Sequence, residues 1–326
     1  MATPAPILGE TLPTVAVVIP CYNAERWISR AVQSLLEQHY PRVEIIVVDD
    51  GSTDGSLNII RRFDGRIRWE TGPNRGACYA RNRGLALSTT DYILFLDADD
   101  YIERNALRYW AATASETSAD IVIGPFAYER DNLRNPGQSI RHPVTAQSIL
   151  QQWLEGWFTP PCAILWRRSF LGSIGGWNIA APRNQDGELM LRALILGARV
   201  AASHAGLGIY VEHDSVPRLS RRSGRAVVAW ELESLRDLWK LAQTHGQGNA
   251  QAGFSRAFYR VAYEGFANHV DDIGWSALEE ARALGLKGHL GTMAHQTLAS
   301  ILGLRTKLRL TGFLKGRHPR SHRKVV

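Results

Sequence analysis

Three short apolar runs in the first third of the chain each stop at a polar segment. Residues 15–19 read Val-Ala-Val-Val-Ile and lead into Pro20-Cys21-Tyr22-Asn23. Residues 44–48 end at Asp49-Asp50-Gly51-Ser52, and residues 92–96 end at Asp97-Ala98-Asp99-Asp100. Runs so rich in β-branched residues suit strands covered on both faces, and therefore parallel ones. Helical spacing fills the gaps. Ile28, Ala31, Val32, Leu35 and Leu36 recur on one face of a segment at 24–38 that Pro41 stops. A second helix is expected up to residue 62, capped by Ser52 or Thr53, and a third at 78–86. A shorter strand is expected at 66–70.

Strands alternating with helices predict a doubly wound α/β sheet. Such sheets bind ligands beyond the carboxyl ends of their strands, which is where the three polar segments fall. The second half is less regular. Strands are expected at 120–124 and 163–166, a helix at 186–196, and a basic, Ser-containing loop at 217–225. Helical spacing returns at 226–242, 252–270 and 276–284, which sets a boundary near residue 220.

Composition narrows the function classes. With 45% apolar and 21% charged residues, the profile is that of an ordinary soluble globular protein. Cys21, Cys78 and Cys162 are odd in number and form no CxxC pair, which argues against a disulfide framework or a structural zinc site. Residues 1–13 lack a basic region followed by an apolar core, and no apolar run approaches the roughly 20 residues that span a bilayer. A cytoplasmic protein is the expectation. The net charge is +7, but eight basic residues and no acidic one lie from residue 304 onward, and without those eight the charge falls to −1. The near-neutral body argues against a nucleic-acid-binding protein. The tail itself reads either as a solvated end or as a patch for an anionic membrane surface, where each basic residue contributes about 1 kcal/mol. Leu308, Leu310, Phe313 and Leu314 among the charges favour the second, placing the chain peripherally on the inner face of a membrane.

The strand-end acids carry the chemistry. Asp97 and Asp99 bring two carboxylates together, and like charges in a sheltered cleft raise each other's pKa unless a cation neutralises them. Hard oxygen ligands with open positions suit Mn²⁺ or Mg²⁺ shared with a substrate diphosphate. Acids at strand ends also cap helices and form surface ion pairs, so Asp97-x-Asp99 alone decides nothing. Asp50 has donors within reach on a base or ribose, or else it closes an Asx-type turn. Arg75 and Arg81 flank Gly76 and Asn82 and suit a phosphate or a structural ion pair equally.

Taken together, Pro20-x-Tyr22-Asn23, Asp49-Asp50-Gly51-Ser52-Thr53-Asp54, Asn74-x-Gly76 with Ala80-Arg81-Asn82, and Leu96-Asp97-Ala98-Asp99-Asp100 resemble the family-2 inverting glycosyltransferases of GT-A fold. The resemblance covers about residues 14–215, includes Ser173-Ile174-Gly175-Gly176-Trp177, and thins beyond 220. It implies a Rossmann-like, mostly parallel sheet flanked by helices, with a helical C-terminal extension. The implied divisions are a leader at 1–13, a nucleotide-sugar-binding half at 14–115, an acceptor-binding half at 116–220, a helical region at 221–303 and a basic tail at 304–326. By the same resemblance Pro20, Tyr22 and Asn23 frame the nucleotide pocket, Asp50 contacts the base and Arg81 supports the nucleotide end. Asp97 holds the ribose or the metal, and Asp99 is the principal metal ligand. Asp186 falls where the family has its catalytic base, with Glu188, Leu189 and Arg192 continuing that motif. His213 occupies the place of a histidine near the diphosphate and reads as a third metal ligand, a phosphate donor or a structural residue. Gln185 and Glu188 are expected to face the acceptor, and Trp157 or Trp177 to stack on a sugar or to sit in the core.

One position departs from the pattern. Gln185 stands where the family usually has Glu, and a neutral neighbour should lower the pKa of Asp186. The expected reaction is transfer of one sugar from a nucleotide-diphosphate donor, weighted towards UDP, to a hydroxyl of a glycan or lipid-linked acceptor. A nucleotidyltransferase would carry a Gly-rich basic loop where Pro20-Cys21-Tyr22-Asn23 stands. A catalytically silent sugar-nucleotide-binding protein has only Gln185 in its favour. The absence of a Gln-x-x-Arg-Trp motif favours single-sugar addition over processive synthesis.

Overall fold

A computed structural model describes residues 12–213 and 223–315. The chain divides into two compact units. The first holds the chain up to Ile149, Trp157–Ala181 and the stretch that begins at Gln185. The second holds Leu150–Gly156, Pro182–Asn184 and the chain from residue 223 on. The expected boundary at 220 lies outside the described residues.

In chain order the elements up to residue 213 are β1 (Val15–Cys21), α1 (Ile28–Leu36), β2 (Val43–Asp49), α2 (Ser56–Arg61), β3 (Arg68–Thr71), α3 (Ala77–Leu87), β4 (Tyr92–Phe95), β5 (Tyr101–Ile102), α4 (Ala106–Thr117), β6 (Ile121–Ile123), β7 (Phe126–Arg130), β8 (Leu133–Pro136), α5 (Ala146–Leu154), β9 (Ile164–Arg167), α6 (Arg168–Ser173), α7 (Gln185–Ile195), β10 (Val200–Ala202) and β11 (Gly208–Val211). The main sheet has the order β10-β6-β9-β4-β1-β2-β3. Its β1–β2, β1–β4, β2–β3 and β6–β10 pairs are parallel, whereas β9 runs antiparallel to both β4 and β6. This is the mostly parallel, doubly wound α/β sheet that the alternation of strands and helices predicts.

The apolar runs explain the centre of that sheet. Val15, Val17 and Ile19 on β1, Val47 on β2 and Leu94 on β4 are fully buried in one core with Ile28, Ala31, Val32 and Leu35 of α1. Each such Val, Leu or Ile contributes about 1.5–3 kcal/mol when withdrawn from water. On the other face α3 lies close against β1. A Cβ at Gly84 would sit 2.3 Å from Cγ1 of Val18, so only glycine allows that approach.

Two local expectations need correction. Helix α1 starts at Ile28 rather than at 24, because a turn in which Trp27 and Ile28 N–H donate to the Ala24 carbonyl precedes it. Helix α2 starts at Ser56, and neither Ser52 nor Thr53 caps it. Asp54 Oδ1 accepts from Ser56 N at 2.9 Å instead, while Ser52 and Thr53 tie down the loop at Asn23. A second sheet of order β5-β11-β7-β8 was not anticipated.

The second unit is helical. Its long elements are α8 (Arg225–Thr244), α9 (Gln251–Ala267), α10 (Asp271–Ala283), α11 (Met293–Leu302) and α12 (Leu304–Lys315). Phe254, Phe258 and Phe266 of α9 are fully buried. Arg183 lies between Glu231 and Glu264, 2.6 Å from each. The stretch expected as a basic tail begins with α12. There Leu304 and Leu308 are buried, and Arg305 and Arg309 both pair with Asp271. Residues beyond 315 lie outside the described part. No described helix is long and apolar enough to cross a membrane.

Candidate active site

Strand register gathers the predicted residues. Strand β1 pairs with β2 on one side, Cys21 opposite Asp49, and with β4 on the other, Val18 opposite Phe95. The segments following all three strands therefore leave one edge of one sheet, the edge at which ligands enter such folds.

The first two segments are stitched together. Asn23 adopts a left-handed conformation (φ 50°); its N–H donates to Ser52 Oγ at 3.0 Å, and its Oδ1 accepts from Thr53 N at 2.8 Å. Tyr22 is left 51% exposed at the rim, with Pro20 half-buried behind it. Buried Asp50 accepts from the backbone N–H groups of Arg75 and Gly76, each at 2.8 Å. It thereby fixes the 74–76 loop. Gly51 makes this possible, since its φ is +77° and a Cβ there would lie 2.8 Å from Asn74 N.

Arg81 of α3 is the centre of a second set. Its guanidinium donates to Asp97 Oδ1 at 2.6 Å and to Gln185 Oε1 at 3.0 Å. The same group lies 4.4 Å over the ring of Trp177. Asn82, one residue on, donates to the Trp177 carbonyl and accepts from its N–H, both at 2.8 Å. One buried arginine thus joins the end of β4 to the first turn of α7.

Asp99 belongs to a third set. Its Oδ2 lies 2.8 Å from Nε2 of His213, and the imidazole stacks on Trp27 with ring centres 4.5 Å apart. Arg30 donates to the Asp99 carbonyl and pairs with Glu129 at 3.0 Å. Buried Asp100 accepts from Val211 N at 2.9 Å, which brings the end of β11, and with it His213, against the end of β4. A cavity of about 770 Å³ opens beside this set, lined in part by Trp27, Arg30, Glu129, Glu212 and His213.

The donors fit a divalent ion shared with a substrate. Asp99 offers a hard carboxylate and His213 an imidazole, whereas Asp97 is already paired with Arg81. Among the described residues no cluster of three or more His, Cys, Asp or Glu forms a complete cage. Two protein donors with open positions suit Mn²⁺ or Mg²⁺ completed by diphosphate oxygens.

Asp186 stands in the first turn of α7 beside Gln185. Burial raises its pKa above the ordinary carboxylate value, outweighing the backbone N–H groups and the Arg81 charge that lower it. The net shift is upward, and the neutral Gln185 is not among its causes. Glu188 takes a different partner. It is buried and pairs with Arg192 at 2.7 Å, and Arg192 also donates to the carbonyls of Ile174 and Gly176. Trp177 is buried too, its ring edge-on to Phe95. Trp157 is likewise buried, with its indole N–H donating to the Ser139 carbonyl.

Residues 16–174 match the family described as Glycosyl transferase family 2. The chain carries a glycosyl transferase family 2 domain. Glycosyltransferase GlyG of Streptococcus pneumoniae is 37% identical over 116 residues, which cover 34% of this chain and 38% of GlyG. The probable glycosyltransferase YdaM of Bacillus subtilis is 30% identical over 211 residues, covering 59% of this chain and 49% of YdaM. The matches therefore span half or less of these relatives. Residues 1–349 of Staphylococcus aureus TarS, solved in complex with UDP-GlcNAc, superpose with a TM-score of 0.68 at 19% identity over 94% of this chain and 93% of that one. That likeness identifies the fold as GT-A, as the sequence motifs implied.

Trp27, Arg30 and Glu129 were not foreseen. Trp27 just precedes the apolar stripe of α1, where an aromatic reads as core, and Glu129 belongs to a sheet with no clear alternation. Only the placement of Trp27 four residues beyond Asn23 marked it.

Proposed function

We propose that the chain is an inverting glycosyltransferase that moves one sugar from a UDP-linked donor to a hydroxyl of a glycan or lipid-linked acceptor. The observation that carries this is the Arg81 bridge, which couples Asp97 of the acidic motif to Gln185 beside Asp186. It links the donor end of the site to a candidate base.

In this scheme the loops at Tyr22-Asn23 and Asp50 hold the base and ribose. Asp50 acts largely through the 74–76 loop it fixes. Asp99 and His213 would hold Mn²⁺ or Mg²⁺, which when bound offsets negative charge on the diphosphate leaving group. Asp186 accepts the proton of the acceptor hydroxyl as its oxygen attacks the anomeric carbon. A raised pKa strengthens its hold on that proton, and Arg81 keeps the base from becoming inert by favouring its charged form. The neutral Gln185 side chain is held by Arg81 and donates to the Ala181 carbonyl at 3.0 Å, so it orients the turn that carries the base. Buried Glu188 and Trp177 support the site from behind rather than touching the acceptor. A cytoplasmic location on the inner face of a membrane belongs to the same proposal and rests on the basic stretch from residue 304.

A panel of UDP-, GDP- and dTDP-sugars incubated with the protein and Mn²⁺ tests the donor assignment by slow donor hydrolysis, without knowledge of the acceptor. Hydrolysis of a UDP-sugar that ceases on chelation supports it. Hydrolysis of none, or of a GDP- or dTDP-sugar alone, contradicts it.

A further inference from the structure

Helix α11 is an anomaly on a soluble surface. Its sequence Met-Ala-His-Gln-Thr-Leu-Ala-Ser-Ile-Leu carries no Asp, Glu, Lys or Arg. Met293 is 84% exposed, Ile301 73% and Leu298 44%, and Leu302 is exposed as well. Ala294, Leu298 and Ile301 are spaced by four and three residues, so they form one stripe, with Met293 at its start. The opposite side is engaged: Ala299 is fully buried, and His295 meets Tyr259 and Lys307. The apolar stripe is thus the outward side of a helix anchored from behind. Surface apolar residues scattered singly need no explanation, but a contiguous stripe on an uncharged helix does.

Charge identifies the partner. From residue 281 to 326 the sequence has ten Lys or Arg and no Asp or Glu. Among them, Arg305 and Arg309 share the single carboxylate of Asp271, so two positive charges meet one negative one there. The basic stretch from residue 304 turns part of its apolar surface inward, because Leu304 and Leu308 are buried.

We infer that the exposed face of α11 is a docking surface for an anionic phospholipid bilayer, with Met293, Leu298 and Ile301 entering the interface and the basic residues of the same segment of sequence meeting the headgroups. Apolar insertion and anionic attraction are the two contributions that hold such a helix in the plane of a membrane. This rests on the membrane location proposed above and not on the sugar chemistry.

The test is flotation of the full chain with vesicles of phosphatidylcholine alone and of phosphatidylcholine with phosphatidylglycerol. Binding is expected only with the anionic vesicles, and it should weaken with salt. The double variant Met293→Ser with Ile301→Ser should lose about tenfold or more of that binding, since both apolar side chains are withdrawn from the interface. Donor hydrolysis should be unchanged in the variant, which separates a failure of docking from a failure of the enzymatic assignment. Equal flotation of wild type and variant overturns the inference. So does a dimer in light scattering that the double variant dissolves, because the stripe would then belong to a second copy.

Discussion

Replacing Arg81 with Met removes the guanidinium and keeps most of its length and apolar bulk. Two hydrogen bonds go with it, the charge-assisted one to Asp97 at 2.6 Å and the one to Gln185 at 3.0 Å. Hydrogen bonds to charged groups are worth roughly 1.5–3 kcal/mol each. The Asp97 side chain is 29% exposed and Gln185 is half-exposed, so water takes over part of what is lost. A net cost of about 2 kcal/mol follows, which for a unit of about 200 residues corresponds to a fall in Tm of roughly 4–8 °C. The second consequence is more specific. The Arg81 charge lowers the Asp186 pKa, opposing burial. Without it that pKa rises further, and a base works only above its pKa. The acid limb of kcat/KM against pH, measured by donor hydrolysis, should therefore move to higher pH in Arg81→Met. Differential scanning calorimetry gives the stability arm. A lowered Tm with an unmoved acid limb would refute the electrostatic coupling, and an unchanged Tm would refute the bridge itself.

Three further outcomes follow from the same geometry. Asp50→Asn keeps an acceptor for only one of the Arg75 and Gly76 N–H groups, so it should cost about 1–3 kcal/mol in thermal unfolding and weaken UDP binding in calorimetric titration. His213→Ala should weaken Mn²⁺ binding in the presence of UDP by at least about tenfold, because loss of outer-shell partners alone has effects of that order; paramagnetic resonance titration reads it directly. Because folding raises the Asp186 pKa, stability from this group is present at low pH and lost as pH rises through the folded-state value. Asp186→Asn removes that loss, so at neutral pH its Tm should equal or exceed that of the wild type.

The centre of the fold was legible because β1, β2 and β4 are covered on both faces, and full burial writes itself as a continuous β-branched run. The three loaded strand ends were legible for the same reason, since the sheet dictates where they point. What the residues do there was harder to read. Asp50 looks the same whether it binds a base or two backbone N–H groups, and the difference lies in a loop 25 residues away. Glu188 reads as part of an acidic motif, yet its partner is Arg192 one turn later on the same helix. The second sheet escaped because its strands are short, β5 having two residues, and β11 pairs with β5 and β7 across some hundred residues. Asp100, next to the proposed metal ligand Asp99, braces β11, which no local pattern encodes.

The central claim is that Asp186 is the base and that the acidic motif holds donor and metal independently of it. The most direct test measures turnover of the donor identified by hydrolysis together with binding of UDP and Mn²⁺, in wild type and in Asp186→Asn. The account predicts that turnover falls by about 10²–10⁴-fold, the usual contribution of a positioned base, with both binding constants unchanged. Turnover that survives the substitution would contradict it.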